Sequence, residues 1–363
     1  MELLAMDPQC ESRSISPAAT STGLRDFISL LSGKGMLQRV CECVDWKFKI
    51  GEITRKNQVP LLFENIKDYP GHRVFTNGLS SLSSIALAMG MDSQASRRDV
   101  VREAKKRAAK PVTPVLVGCA HAGENILEGR EIDFLKLPVP QWSASECLRY
   151  IGTWHVNVTK DPETGIRNLG TYRMQVLGPR HATLSTSHRS HLALHLAKAE
   201  KAGRSLEMAV AIGVNELLVM AAAAGCPEGE DEYELAGGLQ ERPVGIVRCS
   251  TVDLEVPADS EIVIEGVIQP GRRFPDGPYF DYTGEPNLNP NAFIFEAKRM
   301  SFRDNPIFRG AAIGCPGAED QELFSILADL NLFDFHGSRL RRFVQKHLIA
   351  NRLFRSFQFA GQV

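Results

Sequence analysis

The chain has 363 residues, 43% of them apolar and 23% charged, and its 42 basic and 43 acidic side chains leave a net charge of −1. That balance excludes a protein-wide basic field for nucleic acid and an acidic solvating chain. No apolar run reaches the roughly eighteen residues of a membrane helix; the nearest, residues 208–224, is broken by Gly213, Asn215 and Glu216.

Residues 1–22 are rich in Ser, Thr and Pro and read as disordered. Glu2, Asp7 and Glu11 stand where a secretion signal is basic, and no apolar stretch follows them. The eight cysteines include no CxxC pair and no zinc-type spacing. Reduced thiols in a cytoplasmic protein are the expectation. A helix is predicted from Leu24, with Phe27, Ile28, Leu30 and Leu31 on its apolar face and Gly33 and Gly35 ending it. Pro60-Leu61-Leu62-Phe63 reads as a buried strand, Asp68-Tyr69-Pro70-Gly71 as a turn and residues 80–90 as an apolar helix. Residues 97–110 carry seven basic residues against Asp99 and Glu103, and a solvated helix face is preferred to nucleic-acid contact. Residues 23–115 therefore read as a small mixed α/β domain.

From residue 151 the texture changes. Residues 151–158, 168–177 and 183–187 have strand character and are separated by turns at 161–165 and at Gly178-Pro179, which makes an antiparallel meander. Residues 191–202 and 216–224 read as helices around a short buried strand at 209–213. Residues 244–256 and 261–268 are predicted strands. The expected fold is α+β, with an antiparallel barrel over residues 116–315 and a helical segment over 316–363. Residues 336–363 hold six basic residues and no acidic one, with Leu340, Phe343, Val344, His347 and Leu348 at helical spacing. Such a helix docks on its own protein or a partner subunit in preference to lying on a membrane surface.

Polar groups concentrate in two otherwise apolar places. One is Asn168-Leu169-Gly170-Thr171-Tyr172-Arg173 with Ser187-His188-Arg189-Ser190-His191; the other runs from Asp276 to Gly284 in a Gly/Pro-rich loop. Arg173 with Asp276 and Asp281 forms either an acid–base cluster or a structural salt bridge. Asn168 and Arg173 are five residues apart, so a regular strand would put them on opposite faces unless Gly170 hosts a bulge. Tyr172 reads equally as pocket wall or core.

Asn168-Leu169-Gly170-Thr171-Tyr172-Arg173 resembles the N-[IV]-G-x-Y-R signature of the UbiD-type decarboxylases. Residues 254–266, Leu-Glu-Val-Pro-Ala-Asp-Ser-Glu-Ile-Val-Ile-Glu-Gly, resemble that family's L-E-V-P-A block, and residues 276–284 its E-G-P-[YF]-G-[DE]-x-x-G loop. The three motifs stand in the family's order, and the resemblance runs from about residue 24 to about residue 330. It implies a central split β-barrel related to flavin reductases, holding prenylated FMN. It implies manganese or magnesium on the cofactor phosphate, with Asn168, His191 and Glu232 as ligands and His188 as a rival to His191. It also implies a potassium ion near residues 221–224. Leu169, Gly170, Thr171, Tyr172, Arg173 and Ser190 would line the cofactor site.

The implied acid–base trio is Asp276, Arg173 and Asp281. Its implied reaction is non-oxidative, reversible-type decarboxylation of an α,β-unsaturated or aromatic carboxylic acid by a homo-oligomer, with the cofactor supplied by a flavin prenyltransferase. Three departures stand out. The family has Glu where this chain has Asp276. Ala222-Ala223-Ala224-Gly225 replaces a Ser-Ser-Met-Pro-like stretch. Relatives also continue into a C-terminal domain that contributes a lysine, so the chain reads as shortened. A non-catalytic flavin-binding subunit of a larger assembly, or plain flavin reduction, are the competing readings.

Overall fold

The structure is a computed structural model that describes residues 23–330 apart from 147, 283, 315 and 316. The expected disordered segment 1–22 and the basic helix of 336–363 lie outside the described residues. The chain starts with the helix Leu24–Gly33, whose Leu24, Phe27, Ile28 and Leu31 are buried as their spacing predicts. A four-stranded sheet follows, in the order Gln38–Val40, Leu61–Phe63, Arg73–Thr76, Ile307–Arg309. Its last strand comes from far along the chain and pairs in parallel with Arg73–Thr76. Helices Leu82–Ala88 and Arg97–Ala108 complete this lobe, the second capped by Ser96 and solvated apart from Val100, Ala104 and Arg107.

A curled nine-stranded sheet forms the second lobe. Its spatial order is Tyr150–Gly152, Met174–Gly178, His181–Leu184, Pro286–Phe302, Ile262–Phe280, Leu206–Ile212, His155–Lys160, Arg167–Gly170, with Asn125–Glu128 added at Pro286–Phe302. Both faces are covered. On Leu206–Ile212, Ala209 and Ala211 pack toward one core while Met208, Val210 and Ile212 pack toward the other. This explains why the segment reads as a continuous apolar run. Each fully buried aliphatic side chain contributes about 1.5–3 kcal/mol.

Three expectations need correction. Residues 168–177 are not one strand, because pairing stops at Gly170 and resumes at Met174 with a different neighbour. Residues 244–256 are two short strands, Gly245–Arg248 and Glu255–Pro257, in a small sheet with Val115–Leu116. The turn between them is held by Glu265, whose Oε2 accepts the Ser250 and Thr251 N–H groups at 2.9 and 2.6 Å. Asp276-Gly277-Pro278 does not lie in a loop. It belongs to the end of the long strand Ile262–Phe280, paired with Pro286–Phe302 through several register shifts. Bulges are where a strand tolerates Gly and Pro.

Candidate active site

A cavity of about 870 Å³ opens between the barrel and helices Glu216–Ala223 and Glu319–Leu330. Residues 168–173, 185–191, 222–226 and 287–289 line it, together with Glu232, Tyr279, Asp281 and Asp320. The interruption at residues 171–173 lets Asn168 and Arg173 reach one cavity although an unbroken strand would separate them. The Tyr172 ring folds back over Gly170, where any Cβ would stand 2.4 Å from ring carbons, so only glycine fits. Tyr172 is thus part of the wall. Burial pushes its hydroxyl up to about 12.

Three elements bring Asn168, His191 and Glu232 together. Asn168 sits on the edge strand Arg167–Gly170, and its side-chain nitrogen is buried without a partner among the described residues. His191 starts the helix His191–Lys201, capped by Ser190, whose Oγ accepts the Ala193 N–H at 3.1 Å. Glu232 starts the helix Glu232–Gln240, capped by Asp231, whose Oδ1 accepts the Tyr233 N–H at 2.9 Å. This second helix is not among the elements predicted from the sequence. Glu232 Oε1 lies 3.9 Å from His191 Nδ1, and its Oε2 accepts the Leu169 N–H at 2.8 Å. Burial pushes the Glu232 carboxyl up to about 8, against the Leu169 N–H. His188 also lines the cavity, but the carboxylate stands beside His191. No group of three His, Cys, Asp or Glu among the described residues is placed to hold a metal by itself. The candidate set is therefore one amide, one imidazole and one carboxylate. The orphaned Asn168 amide, which a flip turns from donor to acceptor, fits a hard divalent cation whose remaining positions take phosphate oxygens.

Arg173 and Asp276 form the second cluster. Arg173 Nε and Nη2 lie 2.6 and 2.5 Å from Asp276 Oδ1, and Thr183 Oγ1 donates to Oδ2 at 2.6 Å. Asp276 is fully buried behind the arginine and does not line the cavity. Arg173 Nη2 also donates to Asn287 Oδ1 at 3.2 Å, while Asn287 Nδ2 donates to Asp281 Oδ2 at 3.3 Å. Asn287 therefore links the guanidinium to Asp281, a half-buried acid on the cavity wall. The guanidinium carbon also stands 5.0 Å from the Tyr279 ring centre.

Sequence reasoning missed two carboxyls near this cluster. Glu146 is buried, and burial pushes it up to about 7 against the pull of Arg55. Asp320 is buried at the start of Glu319–Leu330, and burial likewise pushes it up to about 7. Neither carries a local signal, because long-range packing buries both. The L-E-V-P-A block, by contrast, is scaffold: Glu261 accepts Arg25 Nε and Nη2 at 2.6 and 2.8 Å and the Ile307 N–H at 3.0 Å, tying the two lobes together.

Two sheets joined through a buried carboxylate, with a cavity of mixed polar and apolar lining between the curled sheet and its helices, define the class of protein. The chain matches the 3-octaprenyl-4-hydroxybenzoate carboxy-lyase Rift-related domain over residues 116–316 and the N-terminal domain of the same family over residues 28–104. The chain belongs to the UbiD family. It is 32% identical over 314 residues to a phenolic acid decarboxylase of Streptomyces sp., covering 82% of this chain and 65% of that protein. It is also 32% identical over 321 residues to an uncharacterized protein of Synechocystis sp., covering 82% and 64%. The chain thus spans just under two thirds of these curated relatives. Among solved structures, the closed form of Sedimentibacter hydroxybenzoicus vanillic acid decarboxylase superposes with a TM-score of 0.81 at 31% identity, covering 84% of this chain and 67% of that one. HmfF from Pelotomaculum thermopropionicum in complex with FMN gives 0.77 at 33% identity, covering 84% and 67%. An evolved dimeric form of HmfF in complex with prFMN gives 0.78 at 34% identity, covering 85% and 71%.

Proposed function

We propose that this chain carries the cofactor site and acid–base cluster of a carboxy-lyase that removes carbon dioxide, without oxidation, from an α,β-unsaturated or aromatic carboxylic acid. The observation that carries the reading is the meeting, in one cavity, of a cation-type ligand set and an arginine held from behind by a buried carboxylate. Asn168, His191 and Glu232 would hold manganese or magnesium against the phosphate of a prenylated FMN. Residues 221–224, at the end of the neighbouring helix, are where a potassium ion would sit. The bound cofactor supplies an electron sink for the charge left when carbon dioxide departs, which side chains alone stabilise poorly.

The chain's own residues do the rest. Asp276 and Thr183 fix the guanidinium plane of Arg173, so the arginine meets the substrate carboxylate pre-aimed. Asp281, on the wetter side and coupled to Arg173 through Asn287, delivers a proton to the product carbon. The cofactor would come from a flavin prenyltransferase, and the assembly would be a homo-oligomer. The test uses the full chain reconstituted with prenylated FMN and manganese. Asp281→Asn should abolish decarboxylation and isotope exchange with labelled carbon dioxide; unchanged exchange would remove Asp281 from the mechanism.

A further inference from the structure

The interruption at residues 171–173 leaves the Tyr172 backbone outside any ladder. The strands His155–Lys160 and Arg167–Gly170 pair from Lys160↔Arg167 to Asn157↔Gly170 and no further. An N–H and a C=O freed in an interior this dense must find partners or each costs as much as a lost hydrogen bond. Two side chains from the neighbouring strand take them. Asn157 Oδ1 accepts the Tyr172 N–H at 3.0 Å, and His155 Nε2 donates to the Tyr172 C=O at 3.0 Å. His155 and Asn157 are alternate residues on one strand, so their side chains leave it on the same face. Both are buried, at 1% and 0% exposure.

Each is itself fixed. The carbonyl it faces requires that His155 carry its hydrogen on Nε2, and its Nδ1 has no partner among the described residues. Its ring lies over Gly152, where a Cβ would stand 2.5 Å from Cε1, and Gly152 pairs with Met174, the first residue after the interruption. Asn157 Nδ2 lies 3.3 Å from Met174 Sδ and 3.7 Å from Met208 Sδ, which leaves Oδ1 for the backbone. The two side chains therefore grip the residue immediately before Arg173 and the strand immediately after it.

We propose that His155 and Asn157 are positioning residues that aim Arg173 into the cavity. They replace two ladder hydrogen bonds with side-chain ones, so that the strand can leave its neighbour, turn Arg173 toward Asp276 and join a new neighbour at Met174. This rests on the reading of Arg173 as the group that meets the substrate carboxylate.

The experiment uses the full chain loaded with FMN and manganese and two readouts. One is hydrogen exchange at Arg173 Nε–H, followed by NMR on ¹⁵N-arginine protein and assigned by its loss in Arg173→Lys. The other is the affinity for benzoate as a plain carboxylate probe. Asn157→Leu and His155→Leu should each speed Nε–H exchange at least about tenfold and weaken benzoate binding by about ten- to a hundredfold, while FMN binding stays within about threefold. His155→Gln keeps a donor for the same carbonyl and should restore both readouts. In an Arg173→Ala background, Asn157→Leu should weaken benzoate no further, because both changes act through one group. Unchanged Nε–H exchange in the two leucine variants would overturn the proposal, and so would additive losses with Arg173→Ala. If Asn157→Leu does not fold, the His155→Leu and His155→Gln pair decides it. Failure of the carboxy-lyase reading shows differently: the wild type would bind no benzoate, while the exchange readout would still report the aim of Arg173.

Discussion

Two arginines, the buried Arg309 and the half-buried Arg173, show how the same ion-pair chemistry serves scaffold and site. Arg309 Nε lies 2.7 Å from Glu216 Oε1, Nη1 donates to the Gly310 carbonyl at 2.8 Å, and Nη2 meets both Glu216 and Glu319. Glu216 Oε2 in turn accepts Trp154 Nε1 at 3.0 Å, and Glu319 Oε1 accepts the Leu79 N–H at 2.5 Å. All three members are 1–2% exposed, and their donors are spent within the protein. Arg173 has one carboxylate rather than two, and its side chain keeps 12% exposure at a cavity wall while Asp276 keeps none. A cation clamped by two acids ties a strand to two helices. A cation clamped by one acid, and only from behind, keeps capacity for an incoming anion.

The largest effect should come from breaking the scaffold cluster. Arg309→Met leaves Glu216 and Glu319 buried with no cation and should cost about 3–5 kcal/mol in urea unfolding. Its cost should exceed that of Arg173→Met, which strands only Asp276, still hydrogen-bonded to Thr183. The next effect sharpens the other half of the contrast. Asp276→Asn keeps the volume but weakens the grip on Arg173. It should cost about 1–3 kcal/mol of stability while lowering turnover about a hundredfold, since a misplacement of about 1 Å suffices for that. If Asp276→Asn lost stability and kept turnover, Arg173–Asp276 would be a second scaffold pair.

The sequence carried these two clusters unequally. Arg173 stood in a motif, and the need for a device near Gly170 followed from the period of a strand. The device differs from the expected bulge: the ladder ends altogether, because the residues that catch Tyr172 sit on another strand. The helix Leu24–Gly33 was legible from its apolar period and the glycines that end it, and His191–Lys201 begins at a local Ser190 cap. The helix Glu232–Gln240 was not predicted. Asp231 followed by Glu232 and Glu234 is an N-terminal signature, masked by the acidic residues before it. The Arg309 cluster had no sequence signal at all. It joins residues 93 and 10 positions apart, and its strand, Ile307–Arg309, completes a sheet begun more than two hundred residues earlier. The burial of Asp276 and Asp320 is equally non-local, which is why neither environment could be read in advance.

Asp320 offers a further test of the contrast, since it is a buried acid with no cationic partner among the described residues. Burial dominates over the backbone N–H groups of Asp320, Gly314 and Gln321, which favour its ionised form, and neither carboxyl oxygen has a partner in hydrogen-bonding geometry among the described residues. Its folded value of about 7 stands above the ordinary 3.8, so folding favours the protonated acid. Nothing is lost below pH ~4, the penalty accumulates as pH rises between ~4 and ~7, and it is complete above that. Asp320→Asn removes the titration. Its stability relative to wild type should therefore rise by about 4 kcal/mol between pH 4 and pH 8 in chemical denaturation. A difference that stays flat over that range would mean that the carboxyl ionises normally and that Asp320, like Asp276, has found a partner.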